Sequence, residues 1–225
     1  MRVLLFDIDG TLLVTDDGGK TALEAALADE FELSAVDVAI SFAGRTDRSL
    51  LRELLERNRL DASEPNQTRL ARRYSAYLPK ILAQRGGEIL PGVTELLEKI
   101  AAQDNFLCYV MTGNLRETAT HKLNHFGLTR YFQGVYGGDH DSERDDLARR
   151  TAADLRDRHG EQQLGEVIVI GDTPQDIRCG HAIGARVVAV CTGSYGRSAL
   201  EAEKPAAVLN DFADVTAIHD LLAAP

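Results

Sequence analysis

Short apolar runs alternate with helical patterns over most of this 225-residue chain, and this alternation restricts its fold more than any other feature. The predicted strands are, in chain order, Arg2–Phe6, Phe106–Met111, Val135–Tyr136, Val167–Ile170, Val187–Val190 and Ala207–Leu209. The predicted helices between and after them span residues 93–102, 116–126, 143–158, 175–183 and 212–222. Continuous apolar strands are typical of a parallel sheet that is covered on both faces. The order of the elements therefore predicts an α/β fold with a doubly wound, Rossmann-like parallel sheet.

One long segment interrupts this alternation. From about Thr15 to Glu88 the sequence has no strand candidate and shows only helical periodicity, in three stretches. The usual βα loop has about 2–6 residues, so this insert is far longer than a loop. We therefore expect an α/β core domain built from residues 1–14 and 89–225, and an α-helical cap domain built from residues 15–88. Because the insert follows the first strand directly, the cap should lie over the carboxyl edge of the sheet.

Charge, apolar runs and cysteine spacing restrict the kinds of molecule this protein can bind and the compartment in which we expect it. The formal net charge of −10 at pH 7 argues against a nucleic-acid partner, which would need a concentrated basic face. No apolar run approaches the roughly 20 residues of a membrane-spanning helix, and the N-terminus lacks the pattern of a signal peptide. The cysteines have no C-x-x-C spacing, and we expect them to be reduced. We expect a cytoplasmic protein without membrane or nucleic-acid partners, and its oligomeric state stays open.

The first predicted strand runs directly into two carboxylates, Asp7 and Asp9, and then into Gly10. Ligands of open α/β sheets bind beyond the carboxyl ends of the strands, which is where these side chains should lie. Gly10 allows the backbone a sharp turn at this point. The alternative is that the carboxylates only stabilise a loop, because Asp and Gly are common in turns.

Two further predicted strands also end in polar residues. Thr112, Gly113 and Asn114 follow one strand and precede a helix, so their backbone N–H groups could bind an anion. Asp172 and Asp176 follow another strand and offer the oxygen ligands that Mg²⁺ prefers. In both places the alternative is that the polar residues only cap the following helix.

A doubly wound sheet would bring these three strand ends together at one edge. Four carboxylates there would repel one another unless a divalent cation neutralised them. With these motifs the sequence resembles the haloacid dehalogenase superfamily of aspartate-nucleophile phosphohydrolases, in the branch with a helical cap inserted after the first motif. DIDGTL, TGN and GDTPQD correspond to the first, second and fourth family motifs, and the resemblance covers essentially the whole chain.

The resemblance implies a Mg²⁺-dependent phosphomonoester hydrolase. Asp7 would attack phosphorus and form an aspartyl-phosphate, and Asp9 would act as the general acid and base. Mg²⁺ would be bound by Asp7, the backbone carbonyl of Asp9, Asp172 and Asp176. The residues that would orient the phosphoryl oxygens are Thr112, Gly113, Asn114 and Arg144.

The chain departs from the family at the third motif, where relatives usually carry a lysine. The corresponding stretch, residues 137–147, contains none. Arg144 at the start of the next helix is the best-placed cation, and Lys122 on the preceding helix is the other candidate. Arg144 could instead be a solvated charge among acidic neighbours.

The substrate class follows from the same resemblance. Dehalogenating relatives lack an acid/base aspartate at the position of Asp9, so its presence favours phosphoryl chemistry. A sugar phosphomutase would carry a cap histidine shortly after the first motif, and residues 13–20 contain none. Arg45, in a loop between two cap helices, could bind a carboxylate or second anionic group of the substrate. Alternatively Arg45 is solvated, and Thr46 or Asp47 caps the next helix.

We therefore expect a phosphoglycolate phosphatase-like enzyme that acts on a small phosphorylated metabolite, with phosphoglycolate as one candidate. The alternatives are a sugar phosphomutase, a 2-haloacid dehalogenase and a phosphoester-binding protein without turnover.

Overall fold

A computed structural model describes residues 1–160 and 165–224 of the chain. The strands in these ranges are β1 Arg2–Phe6, β2 Leu13–Val14, β3 Glu88–Ile89, β4 Phe106–Met111, β5 Val135–Tyr136, β6 Val167–Gly171, β7 Arg186–Val190 and β8 Ala207–Leu209. The helices there are α1 Gly18–Glu30, α2 Asp47–Arg57, α3 Glu64–Arg85, α4 Val93–Ala101, α5 Arg116–His125, α6 Arg144–His159, α7 Pro174–Ala182, α8 Arg197–Ala202 and α9 Val215–Ala223. A 3-10 turn covers Thr129–Tyr131.

The large sheet is parallel throughout and has the order β5-β4-β1-β6-β7-β8 in the described residues. The central strand β1 pairs with β4 on one side and with β6 on the other, with Leu4 opposite both Cys108 and Ile168. The chain winds outwards from β1 in both directions, with helices as the connections. The predicted doubly wound α/β fold is therefore confirmed.

Each face of the sheet has its own hydrophobic core, because successive side chains of a strand point to opposite faces. Leu4 and Phe6 of β1 pack in a cluster with residues of α4, α5 and α9. Val3 and Leu5 pack in a second cluster with residues of α6 and α7. These four side chains are at most 1% exposed, which explains why β1 is a continuous apolar run without alternating polar residues.

The helices α1, α2 and α3 lie between β2 and β3 and form a helical insert with an apolar cluster, which Leu115 joins from outside the insert. Leu23, Leu27, Leu54, Leu70 and Leu78 contribute to this cluster and are buried. The two segments that connect the insert to the sheet run side by side, because β2 pairs with β3 in antiparallel fashion. This is the arrangement expected of the predicted cap, whose bounds stay a prediction.

The C-terminal helix begins later than the sequence pattern predicts. The predicted start was Phe212, but α9 begins at Val215 because the side chain of Asp214 accepts a hydrogen bond from the Ala217 N–H at 3.1 Å and caps the helix. Phe212 is instead a buried core residue. As far as the structure describes the chain, no helix combines the length and apolar character needed to cross a membrane.

Candidate active site

The strands that carry the three polar motifs are neighbours in the sheet. Because β4, β1 and β6 lie side by side and parallel, Thr112, Asp7 and Asp172 leave the sheet at the same edge. These residues line a cavity of about 650 Å³, and residues of α1, α2 and α3 line its opposite side. The sheet and the helical insert therefore enclose one cavity between them.

Three carboxylates form a compact group at the floor of this cavity, which we call the carboxylate cluster: Asp7, Asp172 and Asp176. One oxygen of each lies within 4.8 Å of the others. Burial and, to a smaller extent, the neighbouring carboxylates raise the pKa of Asp7 to about 7, although Arg144 opposes this rise. The same two causes raise the pKa of Asp172 to about 9. An oxygen-only donor set with this excess of negative charge fits a hard divalent cation such as Mg²⁺.

Hydrogen bonds hold the two distal carboxylates in place. Thr11 Oγ1 donates to Asp172 Oδ1 at 3.1 Å. Thr173 caps α7, and its N–H and hydroxyl donate to Asp176 Oδ2 at 3.1 and 2.7 Å. Thr173 is therefore the cap of this helix, and Asp176 stabilises its first turn while it also faces the cluster.

Two glycines make room for Asp172. A Cβ atom at Gly193 would lie 1.7 Å from Asp172 Oδ2, and one at Gly10 would lie 2.5 Å from the same oxygen. Gly10 also has a φ of +81°, which favours glycine and confirms the predicted unusual turn. The two backbones therefore approach this carboxylate more closely than any side chain would allow.

Arg144 is buried at the start of α6 and binds the carboxylate cluster. Both of its Nη atoms lie 3.3 Å from Asp7 Oδ1, and Nη2 also donates to Asp176 Oδ1. With 7% exposure the side chain is not solvated, so that alternative is wrong. The structure thus places a cation beside the predicted nucleophile, where the sequence lacked the usual lysine.

Lys122 is also buried, but it binds a different carboxylate. Its Nζ lies 2.7 and 2.6 Å from the two oxygens of Asp9 and 2.6 Å from Asn114 Oδ1. Asn114 Nδ2 donates to Asp9 Oδ2 at 2.8 Å and to Thr112 Oγ1 at 2.9 Å. The Asp9 side chain is 41% exposed and lines the cavity outside the carboxylate cluster. Its predicted metal contact, through the backbone carbonyl, stays a prediction.

The second motif does not cap the helix that follows it. The N-cap residue of α5 is Leu115, so the alternative that assigned this role to Thr112 or Asn114 is wrong. Two carboxylates from elsewhere bind this helix end instead. Asp47 Oδ2 accepts from the Leu115 N–H at 2.8 Å, and Asp139 Oδ2 accepts from the Arg116 N–H at 2.9 Å.

Arg45 lines the cavity from the insert side. Its guanidinium donates to Glu53 and forms an ion pair with it, so the side chain is neither free nor simply solvated. Thr46 caps α2 by accepting from the Ser49 N–H at 3.3 Å, as one alternative foresaw.

Asp47 is the functional candidate that sequence reasoning missed. It is buried, and this burial raises the pKa of Asp47 to about 6. An acidic residue in the first turn of a helix is common for local reasons. No sequence signal therefore pointed to its contact with a distant helix.

Comparisons with known proteins support the motif assignment. The model of the haloacid dehalogenase-like hydrolase family matches residues 4–190. A phosphoglycolate phosphatase from Rhodospirillum rubrum is 30% identical, with 95% of this chain and 89% of the relative covered. A probable phosphatase, IndB, from Dickeya dadantii is 26% identical, with 98% and 94% covered.

Solved structures show the same fold at lower identity. CbbY from Rhodobacter sphaeroides, in complex with phosphate, has a TM-score of 0.73 at 16% identity, with 95% of this chain and 96% of that chain covered. A predicted phosphoglycolate phosphatase from Haemophilus somnus has a TM-score of 0.71 at 21% identity, with 96% of both chains covered.

The predicted type of enzyme, a phosphatase-like hydrolase, is confirmed by these matches. The family match extends over most of the chain and includes the carboxyl ends of all three strands that carry the polar motifs. The chain therefore belongs to the family of haloacid dehalogenase-like hydrolases.

Proposed function

We propose that this phosphatase hydrolyses a small phosphomonoester through an aspartyl-phosphate formed on Asp7, with Mg²⁺ as cofactor. The observation that carries the proposal is the position of Asp7. Its carboxylate ends the central strand, lines the cavity, and lies beside Arg144 and two further carboxylates. A nucleophile held at the centre of a sheet edge, next to a cation, suits attack on an anionic phosphoryl group.

The reaction divides into two transfers. Asp7 attacks phosphorus, the bond from phosphorus to the alcohol oxygen breaks, and Asp9 donates a proton to that oxygen. Water then attacks the phosphoryl group on Asp7, Asp9 takes the proton from this water, and inorganic phosphate leaves with Asp7 restored. Lys122 and Asn114 hold the Asp9 carboxylate on the cavity side, where a leaving group can reach it.

The proposed metal site uses the chain's own oxygen ligands. Asp7, Asp172 and Asp176 would hold Mg²⁺, together with the backbone carbonyl of Asp9. When bound, the ion neutralises negative charge between the nucleophile and the phosphoryl group. Without a cation the burial of the carboxylate cluster favours protonated Asp7 and Asp172, as their raised pKa values indicate.

Phosphoryl oxygens would be oriented by Thr112, by the Gly113 N–H and by Arg144. The side-chain amide of Asn114 is engaged with Asp9, Thr112 and Lys122. We therefore propose that Asn114 serves the site mainly by holding Asp9. The guanidinium of Arg144 replaces the family lysine because it already lies against Asp7.

The helical insert would act as the cap that selects the substrate and excludes water during the reaction. Phosphoglycolate is the leading candidate, because similar proteins carry that activity in their names. Its carboxylate would face Arg45, exchanging with Glu53 as partner of the guanidinium. The phosphomutase alternative gains no support, since the segment from Leu13 to Lys20 contains no histidine.

The decisive experiment is phosphate release from a panel of phosphomonoesters with Mg²⁺ and with a chelator. Asp7→Asn keeps the shape of the side chain but removes the nucleophile, and we expect kcat to fall by about 10⁴-fold or more. Asp146→Asn is the matched control, because Asp146 is an exposed carboxylate two residues after Arg144 and should leave kcat unchanged. Equal turnover by Asp7→Asn, or full turnover in chelator, would contradict the proposal.

A further inference from the structure

The first N–H groups of α5 are bound by carboxylates from two different parts of the molecule. The N–H groups at a helix start have no partner within the helix, and they attract negative charge. Asp139, which binds the Arg116 N–H, follows β5 and belongs to the sheet side of the molecule. Asp47, which binds the Leu115 N–H, is the first residue of α2 in the helical insert. The insert thus caps a helix that belongs to the sheet.

Asp47 forms hydrogen bonds with the backbone on both sides of Asn114. Its own N–H donates to the Gly113 carbonyl at 2.7 Å, before Asn114. Its Oδ2 accepts from the Leu115 N–H at 2.8 Å, after Asn114, and from Thr118 Oγ1 at 3.4 Å. The residue is 8% exposed, so these bonds are largely shielded from water.

The helical insert approaches the 112–115 loop so closely that a side chain at position 113 would collide with it. A Cβ atom at Gly113 would lie 1.9 Å from the Arg45 carbonyl oxygen and 2.9 Å from its carbon, while the next nearest atom is Arg144 Nη1 at 3.1 Å. Thr46 Oγ1 also donates to the Ser142 carbonyl at 3.0 Å, two residues before Arg144. Residues 45–47 therefore touch the 112–115 loop and the segment that leads into α6.

We propose that Asp47 is a positioning residue that fastens the helical insert to the 112–115 loop and so fixes the phosphate-binding geometry of Thr112 and Gly113. This inference rests on the proposed function, because that function assigns the loop to the phosphoryl group. When the insert moves away, the loop loses the hydrogen bonds at Gly113 and Leu115. The loop is then best ordered for phosphate only while the insert is closed over the cavity.

The test compares the two carboxylates that cap the same helix. Asp47→Ala should lower kcat/KM for the best ester, and raise the inhibition constant of inorganic phosphate, each by about 10- to 100-fold, because small displacements of positioning groups are costly. Asp47→Asn keeps an oxygen that can accept from the Leu115 N–H, so it should recover most of this loss. Asp139→Ala removes the neighbouring cap from the sheet side, and should change both constants by less than about threefold because it leaves the insert fastened.

A second variant tests the same proposal in case Asp47→Ala does not fold. Gly113→Ala removes no buried charge, so the protein should fold. Its added methyl group collides mainly with the Arg45 backbone, so the helical insert should be unable to close fully over the cavity. It should weaken phosphate inhibition as Asp47→Ala does. Wild-type inhibition constants in both variants would overturn the proposal.

Hydrogen exchange separates this inference from the proposed function. In the metal-free protein, Asp47→Ala should speed exchange of the Leu115 amide by about tenfold or more, since that amide loses its acceptor. The Arg116 amide should respond instead to Asp139→Ala. If no ester is hydrolysed but the Leu115 amide exchanges faster in Asp47→Ala, the proposed function is wrong, while the proposed contact between Asp47 and the 112–115 loop is supported. Unchanged Leu115 exchange overturns the fastening itself.

Discussion

Arg144 and Lys122 are both buried basic side chains at the carboxyl edge of the sheet, but they bind different carboxylates in different surroundings. Arg144 lies under the cavity against Asp7 and Asp176, in the carboxylate cluster. Lys122 binds Asp9, whose side chain remains partly open to the cavity. One region surrounds the proposed nucleophile and the other surrounds the proposed acid and base.

The charge balance of the two regions explains why we propose a metal site in only one of them. Within the described residues the carboxylate cluster sets three carboxylates against one guanidinium. Lys122 forms an ion pair with Asp9, and its charge also opposes the rise that burial causes in the pKa of Asp47. Buried charge without a partner is costly, which is why burial raises the pKa of Asp7 and Asp172. The same sheet edge thus contains one region short of positive charge and one in which a lysine pairs directly with the proposed acid and base.

The largest effect that separates the two regions should come from Arg144. Arg144→Met removes the cation beside the nucleophile, and we expect kcat to fall by about 10²- to 10³-fold with every ester, because charge stabilisation at phosphorus does not depend on the leaving group. Arg144→Lys should recover part of this loss. The measurement is steady-state turnover of an alkyl phosphate and of p-nitrophenyl phosphate, with circular dichroism to verify folding.

The matched control for Arg144 is Arg149→Met on the same helix. Arg149 is exposed, and its only ion pairs within the described residues are with Asp145 and Asp146, so its loss should leave kcat unchanged. A near-neutral result for Arg144→Met would assign the third-motif role to Lys122 after all.

A smaller and more selective effect is expected from Lys122. Lys122→Met releases Asp9, and we expect kcat/KM of an alkyl phosphate to fall by about 10- to 100-fold, within the usual contribution of a general acid. The kcat/KM of p-nitrophenyl phosphate should change by less than about threefold, because its leaving group departs without a proton. The ratio of the two kcat/KM values is the measurement that distinguishes Lys122 from Arg144, because kcat/KM does not include the later hydrolysis of the aspartyl-phosphate, which both esters share and in which Asp9 acts as the base.

Lys80→Met serves as the control for Lys122, because Lys80 is an exposed lysine on α3 outside the cavity lining. Equal losses with both esters in Lys122→Met would contradict the division of roles, since they would place Lys122 at the phosphoryl group rather than at the acid.

The comparison also shows what a sequence can and cannot predict. The four central strands of the large sheet, β1, β4, β6 and β7, could be predicted because each is an apolar run buried on both faces, a signal contained in consecutive residues. The two-residue strands β2 and β3 could not, because their pairing joins segments on either side of the insert. The six-residue helix α8 is likewise too short to show a clear period.

The same limit applies to the site. Asp7 and Asp172 could be placed at one edge because each follows a strand, and parallel strands end together. The pairing of Lys122 with Asp9 could not be foreseen, since the two lie 113 residues apart and nothing near either indicates the other. The ion pair of Arg45 with Glu53 was missed as well, because a loop arginine alone does not reveal its partner.

The smallest effect should be a shift in stability, and it separates the two regions without any turnover. The folded pKa values of Asp7 and Asp172 lie above the ordinary value of 3.8, so their contribution to stability is complete below pH 3.8 and is lost as pH rises through about 7 and about 9. The metal-free protein should therefore melt at a lower temperature at pH 8 than at pH 5.

Mg²⁺ at about 100 times its Kd should raise the melting temperature by about 5 °C at pH 8, and by much less at pH 5, where protons compete for the same oxygens. Asp172→Asn should reduce this Mg²⁺ shift, and Lys122→Met should retain it, because Lys122 lies outside the carboxylate cluster. An equal shift at both pH values would show that the ion binds elsewhere.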